Sequence, residues 1–391
     1  MPNVRPFPGL LYDPGAGALE TLTSPPYDLI SPLDQDRLYE ASPYNVVRLI
    51  LGKEEPGDDA SSNKYTRAAS FLRSWRDQGI LGLVPEPAVY PYEMSFHLGG
   101  EKRRVRGLVT DVELEPWGGS ILPHERTMPG PIEDRLSLLR AVRANLSPVY
   151  AVHADRSEAV ARFLDLATAA PPTVDLADDS GTRHRMWVST EGLDAIVGDL
   201  RSKTVMIADG HHRYTVAMAC REEMRAQAGP GPWDSMMMFI VDAVVEDPPV
   251  LPIHRLLAHG GPERAEGERV RDMAEILASL TDDELTFGIV RMESGEVAHR
   301  IARLKGSPPT VCALHEQVLD PMTGDEIRFV PDAFAAERAV LSGEASVAYL
   351  LPPTRVERVF GVIGAGGTLP QKSTYFWPKP RAGMVIRPFD P

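Results

Sequence analysis

The chain has 391 residues, 43% hydrophobic and 25% charged, a globular composition with enough length for two or three cores. Its formal net charge of −14 argues against a general nucleic-acid binder, which needs a basic face to neutralise phosphates. No apolar run approaches the roughly 18–20 residues of a membrane span. The only two cysteines, Cys220 and Cys312, make neither a disulfide framework nor a four-cysteine zinc site.

The start, MPNVRPFPGLLYDPG, lacks a basic segment followed by an apolar one, so secretion is not expected and the cytoplasm is the expected compartment. Further on, NVVRLILG (45–52) reads as a short apolar strand. SSNKYTRAASFLRSWRDQGIL (61–81) puts Tyr65, Ala69, Phe71, Leu72 and Trp75 at near-helical spacing behind a serine start signal. Residues 88–114 read as two strands around Gly99-Gly100. A Gly- and Pro-rich loop, EPWGGSILPHERTMPGP, precedes a helix from Ile132 with Leu136, Leu139 and Val142 on one face.

SPVYAVHA, HRMWVST and TVMIAD then read as strands, and SEAVARFLDLATA and EGLDAIVGDL as helices. GPGPWDSM punctuates the chain before the strand SMMMFIVDAV, and ERVRDMAEILASL reads as a helix. Cys220 is expected in core packing. Strands and helices in separate blocks imply mixed α/β domains rather than one doubly wound sheet. The expected divisions are 1–115, an N-terminal accessory region; 116–232, a core carrying a phosphate-binding turn; and 233–391, a C-terminal α/β domain contributing to the substrate pocket.

Three polar clusters carry the chemistry. In TVMIADGHHRYTVAMAC an apolar strand ends in Asp209, Gly210, His211, His212 and Arg213, and a helix follows. Gly210 permits a tight turn, and the helix N-terminus directs free N–H groups and a positive dipole at it. Arg213 adds a fork of donors suited to phosphate, His211 and His212 can donate to it, and Asp209 can orient the loop or contact Mg²⁺. A capped helix with surface histidines, or a zinc site, are alternative readings of the same residues. The second cluster is His124, Glu125, Arg126 and Thr127, where Glu125 in a Pro-flanked loop suits a general base and a solvent-exposed salt bridge is the alternative. The third is Lys372, Ser373 and Thr374, which offer donors for a carboxylate or decorate an ordinary C-terminal strand.

RPFPGLLYDP, SPPYDLISP, PYNVVRLILG, HERT, ANLSPVYAV and IADGHHRY resemble the marks of the bacterial DUF1015 family across nearly the whole chain. Three segments are also similar, in order, to the free serine kinases of the ParB/sulfiredoxin-like fold. Pro123–Glu125 resembles the loop of their base glutamate, Asp209–Arg213 their phosphate turn, and LPQKSTYFWP, more loosely, their C-terminal segment. The first hundred residues have no counterpart there. This resemblance implies a ParB/sulfiredoxin-like catalytic core and a kinase that phosphorylates a free amino acid, serine first, from ATP or ADP with Mg²⁺. Glu125 and Asp209 would be catalytic, Gly210, His211, His212 and Arg213 would hold the nucleotide, and His124 with Lys372, Ser373 and Thr374 would hold the substrate. Such a kinase needs all three clusters around one cleft. The rival expectation is a nucleotide-binding switch with at most slow hydrolysis. A small-molecule substrate, no membrane and a homodimer complete the expectations on partners.

Overall fold

A computed structural model describes residues 2–125, 132–258, 266–307, 309–319 and 327–390. Arg126 and Thr127 of the second cluster lie outside the described residues. The chain is mixed α/β and divides into two compact units. One comprises Met1–Pro123, Thr127–Asp247 and Pro378–Pro391; the other comprises His124–Arg126 and Pro248–Trp377. The boundaries expected at 115/116 and 232/233 both fall inside the first unit. The reason is strand pairing: Ser235–Asp242 runs antiparallel beside Glu101–Glu113, with Met238 opposite Thr110.

In the first unit, nine strands among the described residues form one sheet. Its order is Ile121–Leu122, Val205–Asp209, Val149–His153, Ser235–Asp242, Glu101–Glu113, Tyr90–Leu98, Arg183–Met186 and Val174–Ala177, with Val4–Arg5 also on Glu101–Glu113. The hairpin forms where the sequence placed it. Gly99 and Gly100 both adopt positive φ, 61° and 83°, the tight turn that matches strand twist. Val205, Met206 and Ile207 are fully buried, so the strand leading to the Asp209 turn reads as a continuous apolar run. Val149, Ala151, Ile196, Ile207, Tyr214 and Ile240 belong to one core cluster, and Cys220 is buried in another.

NVVRLILG is not a strand. Val47–Ile50 is a single helical turn, with the Asn45 side-chain oxygen accepting from Val47 N–H at 2.8 Å. A short apolar run carries no period long enough to separate the two states. The helix over Lys64–Asp77 is present, but Asn63 rather than a serine caps it, accepting from the N–H groups of Tyr65 and Thr66.

In the second unit the described strands form a six-stranded antiparallel sheet, in the order Glu268–Val270, Glu296–Arg303, Thr286–Glu293, Val347–Leu350, His254–Leu257 and Ile327–Val330. The helices Met273–Ser279 and Ala333–Leu341 pack on it through Ile276, Ala336 and Val340 against Leu256, Val290 and Ala348. The expected helix over 268–280 begins as a strand and turns helical only after Asp272, whose side chain accepts from Glu275 N–H. No helix among the described residues is long and apolar enough to cross a membrane.

Candidate functional site

The first unit carries one of the three polar clusters read from the sequence and the second carries the other two. In the first unit, Val205–Asp209 ends in a register shift between Ile207 and Asp209, and Gly210 follows at φ 98°, ψ 27°. That left-handed backbone favours glycine, and a Cβ there would lie 2.9 Å from Nη2 of Arg213. His211 and His212 open the helix His211–Ala228. The His211 ring lies nearly parallel to that of Trp117, centroids 6.3 Å apart and planes at 22°.

Arg213 folds back over the turn. Its Nη2 donates to Asp209 Oδ2 at 2.6 Å, and its Nη1 donates to Ser147 Oγ at 2.9 Å and Pro148 O at 2.6 Å. The other oxygen of Asp209 is also engaged: Nζ of Lys379 lies 2.5 Å from Oδ1 and 2.9 Å from Asp28 Oδ2. The Lys379 side chain is only 8% exposed. Burial opposes its charge, yet Asp209 and Asp28 outweigh burial and hold its pKa above the ordinary lysine range. Asp209 is therefore clamped between two cations of the protein itself. A Mg²⁺ ion on it would have to displace one of them, so these residues do not offer a preformed metal site. Among the described residues, no group of three or more His, Cys, Asp or Glu side chains is arranged to hold a metal.

In the second unit, Glu125 meets the 372–374 segment. Its Oε2 accepts from Lys372 N–H at 2.9 Å, and its Oε1 accepts from Ser373 N–H at 2.9 Å and Thr374 N–H at 3.0 Å. Lys372 has φ 53°, and this left-handed residue turns three successive N–H groups toward one point, the geometry of an anion nest. The Thr374 hydroxyl also donates to Oε1 at 3.0 Å. With that proton given away, Nε2 of the buried His124, 2.5 Å from Thr374 Oγ1, is the donor between them. Parallel bridging of Glu125 with Leu369 fixes the loop.

Behind the nest stands Arg255, fully buried. Its Nη1 donates to Lys372 O at 2.9 Å and Ile253 O at 2.6 Å, and its Nη2 to Gln371 O at 3.3 Å. Pulling those carbonyls back leaves the N–H side of the segment facing Glu125. Burial pushes the guanidinium down to about 10, and the Glu125 charge works against that fall.

All ten expected site residues are thus placed: Asp209, Gly210, His211, His212 and Arg213 at one turn, and His124, Glu125, Lys372, Ser373 and Thr374 at one nest. Asp28, Lys379, Ser147 and Arg255 were not anticipated. The lysine in FWPKP, set between two prolines beside the third cluster, was the one signal that could have been followed.

The sequence matches, over residues 4–314, the family described as "Protein of unknown function (DUF1015)". No curated protein matches it. Among solved structures it is similar to a free serine kinase in complex with AMP, at 16% identity and TM-score 0.38, covering 68% of this chain and 86% of that one. It is similar to a conserved hypothetical protein from Pyrococcus furiosus, at 15% identity and TM-score 0.36, over 69% of this chain and 93% of that one. SbnI with C-terminal truncation from Staphylococcus aureus follows at 11% identity and TM-score 0.35, over 66% and 81%. These likenesses are distant and loose, and nothing about activity follows from them.

Proposed function

The chain belongs to the DUF1015 family, and we propose that it is a phosphotransferase acting from a nucleotide onto the hydroxyl of a small acceptor that carries a carboxylate, free serine first. The observation that carries this reading is the nest over Lys372–Thr374, whose three N–H groups already hold a carboxylate. The motif resemblance of Pro123–Glu125 and Asp209–Arg213 to free serine kinases supports the nucleotide and the amino acid.

In this reading the N–H groups at the start of His211–Ala228, with His211, His212 and Arg213, bind the donor's phosphates. The acceptor oxygen forms a bond to the terminal phosphorus, the bond to the bridging oxygen breaks, and the hydroxyl proton passes to Glu125. Glu125 as it stands is engaged by three N–H groups and a hydroxyl. To take a proton it must leave the nest, and the group suited to replace it there is another carboxylate. The acceptor's own carboxylate is assigned that role, so the base is released only when a proper substrate enters. Asp209 is a positioning residue, holding the turn through Arg213 and Lys379. Mg²⁺ is a companion of the donor's phosphates rather than a resident metal, and no step is routed through it.

The test is to incubate the protein with ATP or ADP, Mg²⁺ and serine, then with ethanolamine in place of serine, and weigh the products. Phosphoserine without phosphoethanolamine is the expected outcome. No phosphorylated product from any amino or hydroxy acid sinks the kinase reading. One observation favours a second reading: both carboxylates, Asp209 and Glu125, are satisfied by internal donors. A nucleotide-binding switch needs no more than that, and nucleotide binding without product would select it.

A further inference from the structure

Beside Arg213 the first unit has a cleft that is partly open to solvent. Its walls are largely apolar: Ile50, Leu138, Leu139, Leu146, Val216 and Met236. Five polar side chains, Tyr27, Arg135, Asn145, Ser147 and Arg213, converge on them. Arg135 lies 4.3 Å above the Tyr27 ring and is locked there, its Nη1 donating to Ile50 O at 2.6 Å and its Nε to Asp134 at 2.7 Å. Asn145 has its amide oxygen fixed by Met237 N–H at 3.0 Å and by Arg387 at 3.2 Å, so its NH₂ is the end left to donate. Ser147 lines the cleft, accepts from Arg213, and retains its own proton to give.

A mainly apolar cleft with a few fixed polar groups suits a flat heterocycle better than a small amino acid, whose ammonium would find no carboxylate among the lining residues. What joins the cleft to the phosphate turn is Arg213, which belongs to both. Tyr27 lines the cleft too, and the next residue, Asp28, meets Lys379, which also holds Asp209. A ligand with an apolar ring at one end and phosphates at the other would fit along this line.

We propose that this cleft binds the nucleoside part of the phosphate donor, with the base against Leu138, Leu139 and Val216, the Asn145 amide donating to a ring nitrogen, and Tyr27 and Ser147 at the ribose. The proposal rests on the nucleotide-donor reading above and adds the site that would distinguish a nucleotide from a bare polyphosphate.

The experiment compares ATP with inorganic tripolyphosphate by calorimetry, on wild type and on Leu138→Trp and Leu139→Trp, each checked for folding by circular dichroism. Wild type should bind ATP more tightly than tripolyphosphate. The tryptophan variants should lose about tenfold or more in ATP affinity and keep their tripolyphosphate affinity. ATP bound as tightly by a folded variant as by wild type overturns the assignment. So does equal affinity of wild type for the two ligands, which needs no variant and leaves the phosphate turn standing. No binding of either ligand brings down the nucleotide reading itself, and the cleft assignment with it.

Discussion

Glu125 accepts from three backbone N–H groups and one hydroxyl, so changing it has two separable consequences. Glu125→Gln keeps an oxygen in the nest and loses the base. Turnover should fall by about 10²–10⁴ while the fold is largely retained. Glu125→Ala also strips the nest of its acceptor and should cost about 1–3 kcal/mol of stability. Steady-state rates beside urea unfolding separate the two, and a Gln variant that turns over normally removes Glu125 from the chemistry. Lys379 invites the opposite experiment. Lys379→Met leaves Asp28 and Asp209 facing one another without their shared cation, and breaking such a buried pair costs about 3–5 kcal/mol. Adding Asp28→Asn should recover part of that loss. If Lys379→Met is neutral in urea, the ammonium is not holding the turn.

At the level of elements the decisive unit is strand, turn and helix over Val205–Ala228. Gly210→Ala must adopt φ 98° and bring a Cβ to within 2.9 Å of Arg213 Nη2. It should cost at least about 1–2 kcal/mol and weaken phosphate binding through the displaced arginine. An alanine variant as stable as wild type would show that Arg213 yields freely. This element was legible in the sequence because a buried apolar run, a glycine and an amphipathic helix are all local signals. So was the hairpin at Gly99-Gly100. NVVRLILG was misread because its turn depends on one side-chain bond from Asn45. Arg213 was legible as a donor of hydrogen bonds but not as one already engaged by Ser147 and Pro148, some 65 residues away. The partners of Lys379 and Arg255 were invisible for the same reason. Asp28 and Asp209 meet Lys379 from 351 and 170 positions away, and no spacing or period links such partners.

Across the whole molecule, buried histidines set the response to acid. Burial, reinforced by Arg255, pushes His254 down to about 4, and its Nδ1 accepts from Leu351 N–H at 3.1 Å. Burial also lowers His153 and His184, the latter against the pull of Asp178. Unfolded histidine titrates near 6.5, so between about 6.5 and 4 the unfolded chain binds more protons than the native one. Stability therefore rises with pH across that window. The contribution of His254 is complete above the unfolded value and is lost as pH falls through about 4, worth up to about 3 kcal/mol. Carboxylates titrate elsewhere. Burial acts against the charge of Asp134 and Asp178, but Lys64 and Arg135 for the first, and His184 and Ser180 for the second, hold both at about 2, so their losses set in as pH falls through the unfolded carboxylate value of about 3.9 and are complete near 2. A decline between pH 6.5 and 4.5 is thus a histidine signature. Urea unfolding at pH 7, 5.5 and 4.5 should show it in wild type, and His254→Gln, which can still accept from Leu351, should flatten the slope. An unchanged slope in that variant would move the acid sensitivity to His153 and His184, and a flat wild-type profile would mean that none of the three stays neutral in the native fold.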